Sequence, residues 1–194
     1  MEPNKIIAGI DYSMTSPCIC VHDGSNTFDF ESCTFFYLAK QTKLVGTIRK
    51  NIFGTEYPSY KSDIERYLKI SKWSMGILQD YDVTDVCLEN YAFGGSGAVF
   101  NIGENTGILK LGIHLSNMTL DTVAPTQVKK FATGSGRADK EKMHESFKEE
   151  NSVDLQHMIS PNRKNIGNPV SDIVDAYYIC KYGFTSYKTS QLPQ

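Results

Sequence analysis

Residues 6–13 read IIAGIDYS. Ile6, Ile7, Ala8, Gly9 and Ile10 form an apolar run of strand length, and Asp11 closes it. A carboxylate taken out of water is costly unless it is paired, protonated or bound to a metal. The stretch therefore predicts a buried strand, and it asks whether other acids reach the same strand end.

Working outward, residues 5–12 are the first strand, PCICVHD (17–23) the second and TFDFESCTFFYLA (27–39) the third, with GSN at 24–26 as a turn. Hairpin spacing makes these an antiparallel meander. Residues 40–58 contain Gly46, Gly54 and Pro58 and show no clear period, which suits a loop or small hairpin. From Ser59 the period lengthens: Ile64, Leu68, Ser71, Met75 and Leu78 share one helical face, with Trp73 at its edge. TDVCLEN (84–90) is a fourth strand, and it too ends in an acid, Glu89. After the GGSG loop (94–97) a helix follows at 98–116, then a fifth strand, TLDTVAP (119–125). A short helix starts at Pro125, TGSG (133–136) turns, and RADKEKMHESFKEE (137–150) is a charged helix. Residues 151–168 read as polar loop, and a last helix opens at Asn168-Pro169 and stops at Gly183. The order predicts a single α/β domain over 1–194, with a five-stranded mixed sheet flanked by helices.

The totals fit that reading. Of 194 residues, 40% are hydrophobic and 22% charged, which is ordinary globular composition. No apolar run reaches about 18 residues, and MEPNK lacks the layout of a secretory signal, so a soluble, cytoplasmic protein without a membrane span is expected. The net charge of −2 excludes a uniformly basic surface. Basic residues nevertheless crowd locally, at Lys40, Lys43, Arg49 and Lys50, and again from Lys129 to Lys148. The five cysteines fall inside apolar runs and read as small buried thiols, and the four histidines show no metal-ligand spacing.

Four acids occupy otherwise apolar positions: Asp11, Glu89, Asp172 and Asp175. Taken singly, each has an ordinary reading as a turn, cap or helix-dipole residue. Together they read differently. Asp172 and Asp175 are three apart on one helix and share a face, and parallel strands one and four would bring Asp11 and Glu89 to one sheet edge. Four gathered carboxylates cannot all ionise unaided, and oxygen-only donors suit Mg²⁺ or Mn²⁺. Two such ions about 3.5–4 Å apart are the arrangement that hydrolyses phosphodiesters.

At this point the chain resembles the RuvC family of Holliday-junction resolvases, which have a ribonuclease H-like fold. GIDYS with Asp11, LEN with Glu89 and SDIVDA with Asp172 and Asp175 are similar to that family's four catalytic acids. PTQVKKFATGSGRADKEKM (125–143) resembles its segment of a VKK pair followed by a G-x-G-x-A-[DE]-K turn. The resemblance implies an endonuclease that cuts four-way DNA junctions by paired symmetric nicks, with two Mg²⁺ ions held by the four acids, Mn²⁺ substituting. It implies DNA contacts from Lys129 and Lys140, extended to Lys130 and Arg137 around the turn. It implies an aromatic probe of the junction, either Tyr91 or Phe93, and a homodimer formed near Gly103 to Leu115. Tyr12-Ser13 stand where the family usually has Pro-Gly, and the chain is longer at 30–72 and 151–168, as in virus-encoded relatives. A nuclease for flaps or other branched DNA, or a non-catalytic junction binder, are the alternatives.

Overall fold

Alternation along residues 7–11 builds a strand whose two faces are both covered. The computed structural model of the chain describes residues 5–90 and 98–190. The elements in chain order are β1 (Ile7–Asp11), β2 (Cys18–His22), β3 (Cys33–Ala39), β4 (Gly46–Arg49), β5 (Ile52–Glu56), α1 (Asp63–Asp80), β6 (Asp85–Glu89), α2 (Ala98–Leu115), β7 (Thr119–Val123), α3 (Pro125–Thr133), α4 (Lys140–Asn151), α5 (Leu155–Ile159) and α6 (Val170–Ser190). They form a mixed sheet in the order β4-β5-β3-β2-β1-β6-β7. The meander β1-β2-β3 is antiparallel as expected, and β6 and β7 add on the other side of β1 in parallel.

The sheet has seven strands, not five. Residues 40–58 supply the two extra ones: β4 and β5 form a hairpin, and β5 pairs in parallel with β3. Gly46, Gly54 and the polar residues between and around them interrupt the apolar pattern that would mark these strands. β3 starts at Cys33 instead of Thr27, because Asp29 and Ser32 close a local turn in which Asp29 Oδ1 accepts from the Ser32 amide at 2.9 Å. The polar stretch 151–168 contains α5, capped by Asp154. α4 begins at Lys140, since the Asp139 side chain accepts from the Lys142 amide and caps it there.

Two apolar layers sandwich the sheet. On one side Ile7, Cys20, Phe35, Ile52 and Cys87 pack with α6. On the other, Ala8, Ile10, Ile19, Val21 and Leu88 meet Ile70, Ile77 and Leu78 of α1 and Leu109 and Ile113 of α2. α1 is rotated from the expected face. Tyr67, Ile70, Ser71, Ser74, Ile77 and Leu78 are buried, while Ile64 and Leu68 are 64% and 46% exposed. Ser74 reads as polar but donates to the Ile70 carbonyl at 3.0 Å, and so can be buried.

α6 lies so close to the sheet that glycine is required at the crossing. A Cβ on Gly9 would fall 2.1 Å from the Cys180 backbone nitrogen. Gly183 is not a helix stop. α6 runs through it to Ser190, and a Cβ there would sit 2.9 Å from that of Cys87. All five cysteines are free and buried. Among the described residues, no helix is long and apolar enough to cross a membrane.

Candidate active site

Strand pleating decides where the first two acids point. Ile7 and Cys87 face α6, so Asp11 and Glu89, each an even number of residues further along its strand, leave the sheet toward that same face. Ile10 pairs with Leu88 in parallel register, so the two strand ends emerge side by side. Across them lies α6, with Asp172 in its first turn and Asp175 one turn on. Asp172 is buried at 6% exposure, and Asp11, Glu89 and Asp175 are half-buried.

Their electrostatics agree with convergence. Burial raises the Asp11 carboxyl well above the usual range, and Asp172, Asp175 and Glu89 raise it further. Burial, and then Asp175, push Glu89 up to about 7. Burial dominates in the remaining pair too, lifting Asp172 and Asp175 each to about 6. Two cations oppose this. Lys140 favours ionisation of Asp11, Asp172 and Asp175, and Lys129 that of Glu89 and Asp175.

Three polar residues with no local motif support Asp172. Ser171 Oγ accepts from Lys140 Nζ at 3.2 Å and offers its proton to Asn168 Oδ1 at 3.1 Å and Asp172 Oδ1 at 3.3 Å. Asn168 Nδ2 in turn donates to Ser16 Oγ. A hydrogen bond from Ser16 also favours the Asp172 carboxylate. Behind Asp11, Tyr57 and Arg66 both donate to the Met14 carbonyl and hold the 12–17 loop. The sequence signalled only part of this group: Ser171 precedes an expected ligand, Asn168 marks a helix start, and Ser16 carries no signal.

The donor set fits a hard cation in kind. All four groups offer oxygen, and the Cys18 thiol beside them is kept protonated by burial and by the same acids. Asp172 Oδ2 is buried without a hydrogen-bond partner, an orphan acceptor that a cation would satisfy. As they stand, however, no three His, Cys, Asp or Glu side chains among the described residues are arranged to hold an ion.

Of the predicted basic residues, Lys129 and Lys140 act on the acids. Lys130 and Arg137 are exposed on α3 and in the turn after it. Tyr91 and Phe93 lie outside the described residues. Replacing Lys140 by Met removes the cation that favours three of the carboxylates. The Asp172 carboxyl, pushed up to about 6 chiefly by burial, is then expected to move higher, read from carboxyl-carbon NMR. An unmoved titration would show that Lys140 points elsewhere.

A family model described as Crossover junction endodeoxyribonuclease RuvC matches residues 31–163. That span includes Glu89, Lys129 and Lys140, and it leaves out Asp11, Asp172 and Asp175. Over 98 residues, half of this chain, the sequence is 26% identical to the crossover junction endodeoxyribonuclease RuvC of Petrotoga mobilis, and the match spans 60% of that protein. Among solved structures, Thermus thermophilus RuvC in complex with Holliday junction substrate superposes with a TM-score of 0.63 at 14% identity, over 95% of this chain and 97% of that one. The yeast mitochondrial Holliday junction resolvase Ydc2 gives 0.55 at 11% identity, over 97% and 83%. At such identities the likeness is one of fold, and the ribonuclease H-like expectation stands with two added strands.

Proposed function

The chain belongs to the RuvC family of crossover junction endodeoxyribonucleases, and from that premise we propose that it is a metal-dependent endonuclease that resolves four-way DNA junctions by paired nicks. The observation that carries this reading is the meeting of two strand-end acids with two acids of α6, flanked by Lys129 and Lys140. Asp11, Glu89, Asp172 and Asp175 would hold two Mg²⁺ ions, Mn²⁺ substituting. Bound there, the ions supply activation of the attacking water and charge stabilisation at the departing 3′ oxygen.

The chain's own residues do the rest. The rigid ends of β1 and β6 and the first turns of α6 fix the directions of the acids. Metal ligation would need these groups ionised, and Asp172, Asp175 and Glu89 ionise through about 6 to 7, so metal binding would strengthen as pH rises through that range. Lys129 and Lys140 draw the phosphate backbone in and offset its charge. Ser171 and Ser16 hold Asp172 in one orientation.

Two symmetric nicks need two sites, hence a homodimer. α2 offers a face for it: Phe100, Leu111 and Leu115 are 77%, 57% and 71% exposed along one side of the helix. Leu111→Asp combined with Leu115→Asp is expected to convert a dimer into a monomer on gel filtration. An unchanged elution volume would place the interface elsewhere.

The decisive assay uses labelled four-way junction, three-way junction, flap and linear duplex with Mg²⁺, Mn²⁺ or chelator. Paired nicks in the four-way junction, lost with chelator, are expected. Metal-dependent cutting of flaps alone would replace this reading by that of a flap nuclease. Junction binding without cutting in any metal would make the chain a non-catalytic binder.

A further inference from the structure

The start of segment 40–58 and the end of segment 151–168 meet beside Asn168, which connects through Ser171 to Asp172. Lys40, Gln41 and Leu44 form one wall of a cleft of about 360 Å³, and Arg163, Asn168 and Pro169 form the other. A second hollow of about 220 Å³, between Lys43 and Asn162, shares Gln41, Leu44 and Arg163 with it. The chain as a whole has more acids than bases, 22 against 20. Yet among the described residues no acid lines either hollow, and Lys40, Lys43 and Arg163 stand exposed along them. Acid-free walls with three cations concentrate positive potential there.

The walls are built and held. Tyr37 donates to the Leu44 carbonyl at 2.8 Å, which fixes the inner side. Lys40 Nζ lies 5.2 Å from the centre of the Tyr57 ring. Opposite, Gln156 donates to the Arg163 carbonyl at 2.9 Å, and the Arg163 guanidinium to the Asn168 carbonyl at 3.0 Å. Ser16 lines the cleft, and through Asn168 and Ser171 it connects to Asp172.

We propose that this cleft binds the phosphate backbone of the DNA strand that continues past the cut site. The inference rests on the nuclease reading above and deepens it. A cleft of this size takes one sugar-phosphate strand, not a duplex. Lys40, Lys43 and Arg163 meet its phosphates, supplying affinity and register without sequence preference. Cations on the strand beyond the acids steady the position of the phosphodiester between them.

The test is the salt dependence of binding to a labelled four-way junction, measured with chelator so that nothing is cut. In the triple variant Lys40→Gln, Lys43→Gln, Arg163→Gln the slope of log affinity against log salt is expected to become shallower by about two to three. Affinity at about 50 mM salt is expected to fall roughly ten-fold or more. Lys40→Arg, Lys43→Arg, Arg163→Lys should keep the wild-type slope. The single variant Lys43→Glu repeats the test at one exposed position and should likewise make the slope shallower. Lys148→Gln, a control on α4 where Lys148 pairs with Asp154 at 2.7 Å, should change nothing. Wild-type binding with an unchanged slope in the triple variant overturns the cleft and leaves the nuclease reading standing. An equal change in Lys148→Gln also overturns it, because any surface lysine would then do. If the wild-type protein binds none of the DNAs, the nuclease reading falls and the cleft with it.

Discussion

Asp11→Asn is expected to slow strand cutting by about three orders of magnitude or more, the scale of losing several kcal/mol of charge stabilisation. The same kind of substitution should make the metal-free protein more stable. Asp172 shows the sign. Its carboxyl is pushed up to about 6 in the fold from the ordinary 3.8, chiefly by burial. As pH rises from about 4 to 6 the unfolded chain releases this proton first, so the folded state loses stability across that window and stays at the lower level above it. Asparagine has no proton to lose. Asp172→Asn at about pH 8 is therefore expected to raise the metal-free melting temperature by roughly 3–8 °C, shrinking toward zero near pH 4. Adding Mg²⁺ should stabilise the wild type more than either variant. Persistent cutting by Asp11→Asn would remove it from the ligand set. A lower melting temperature for Asp172→Asn at high pH would mean that Asp172 is a structural hydrogen-bond partner and not a group whose charge is penalised by burial.

Gly9→Ala is the other substitution with a large expected effect. The added methyl would sit 2.1 Å from the Cys180 backbone nitrogen and 2.5 Å from its Cα, and backbone cannot rotate away. Either α6 lifts from β1 or the strand distorts. We expect a loss of about 3 kcal/mol or more, seen as a large fall in melting temperature or as insoluble protein. Soluble remnants should cut poorly, because lifting α6 moves Asp172 and Asp175 away from Asp11 and Glu89. Gly76→Ala is the control, since a Cβ there meets nothing within 4 Å. It replaces a helical glycine and is expected to stabilise by about 0.5–1 kcal/mol. Equal damage from both would mean that the β1–α6 approach is looser than it stands.

The elements that were legible carry a continuous apolar signal. The apolar runs ending in Asp11 and Glu89 read as strands, and pleat parity explains why both acids face α6. Lys129 and Lys140 were marked by the VKK pair and the turn after it. What escaped was interrupted or non-local. β4 and β5 are broken by Gly46, Gly54 and polar residues, and Ser74 conceals a buried helix face by bonding to its own turn. Tyr12, where the family usually has proline, is 7% exposed and packs in the layer under α1 and α2. The contact of Ser16 with Asn168 spans 152 residues, and no local pattern announces it.

The placement of α6 also sets a timetable. β1 is among the first parts of the fold to leave the ribosome, and α6 follows every other described element. A nascent chain that has not yet emerged past Asp175 carries Asp11 and Glu89 but lacks the helix that completes the four acids. Its β1 also lacks the partner that covers Gly9. The candidate site is therefore the last part of the described fold to be completed, because it joins the first strand to the final helix.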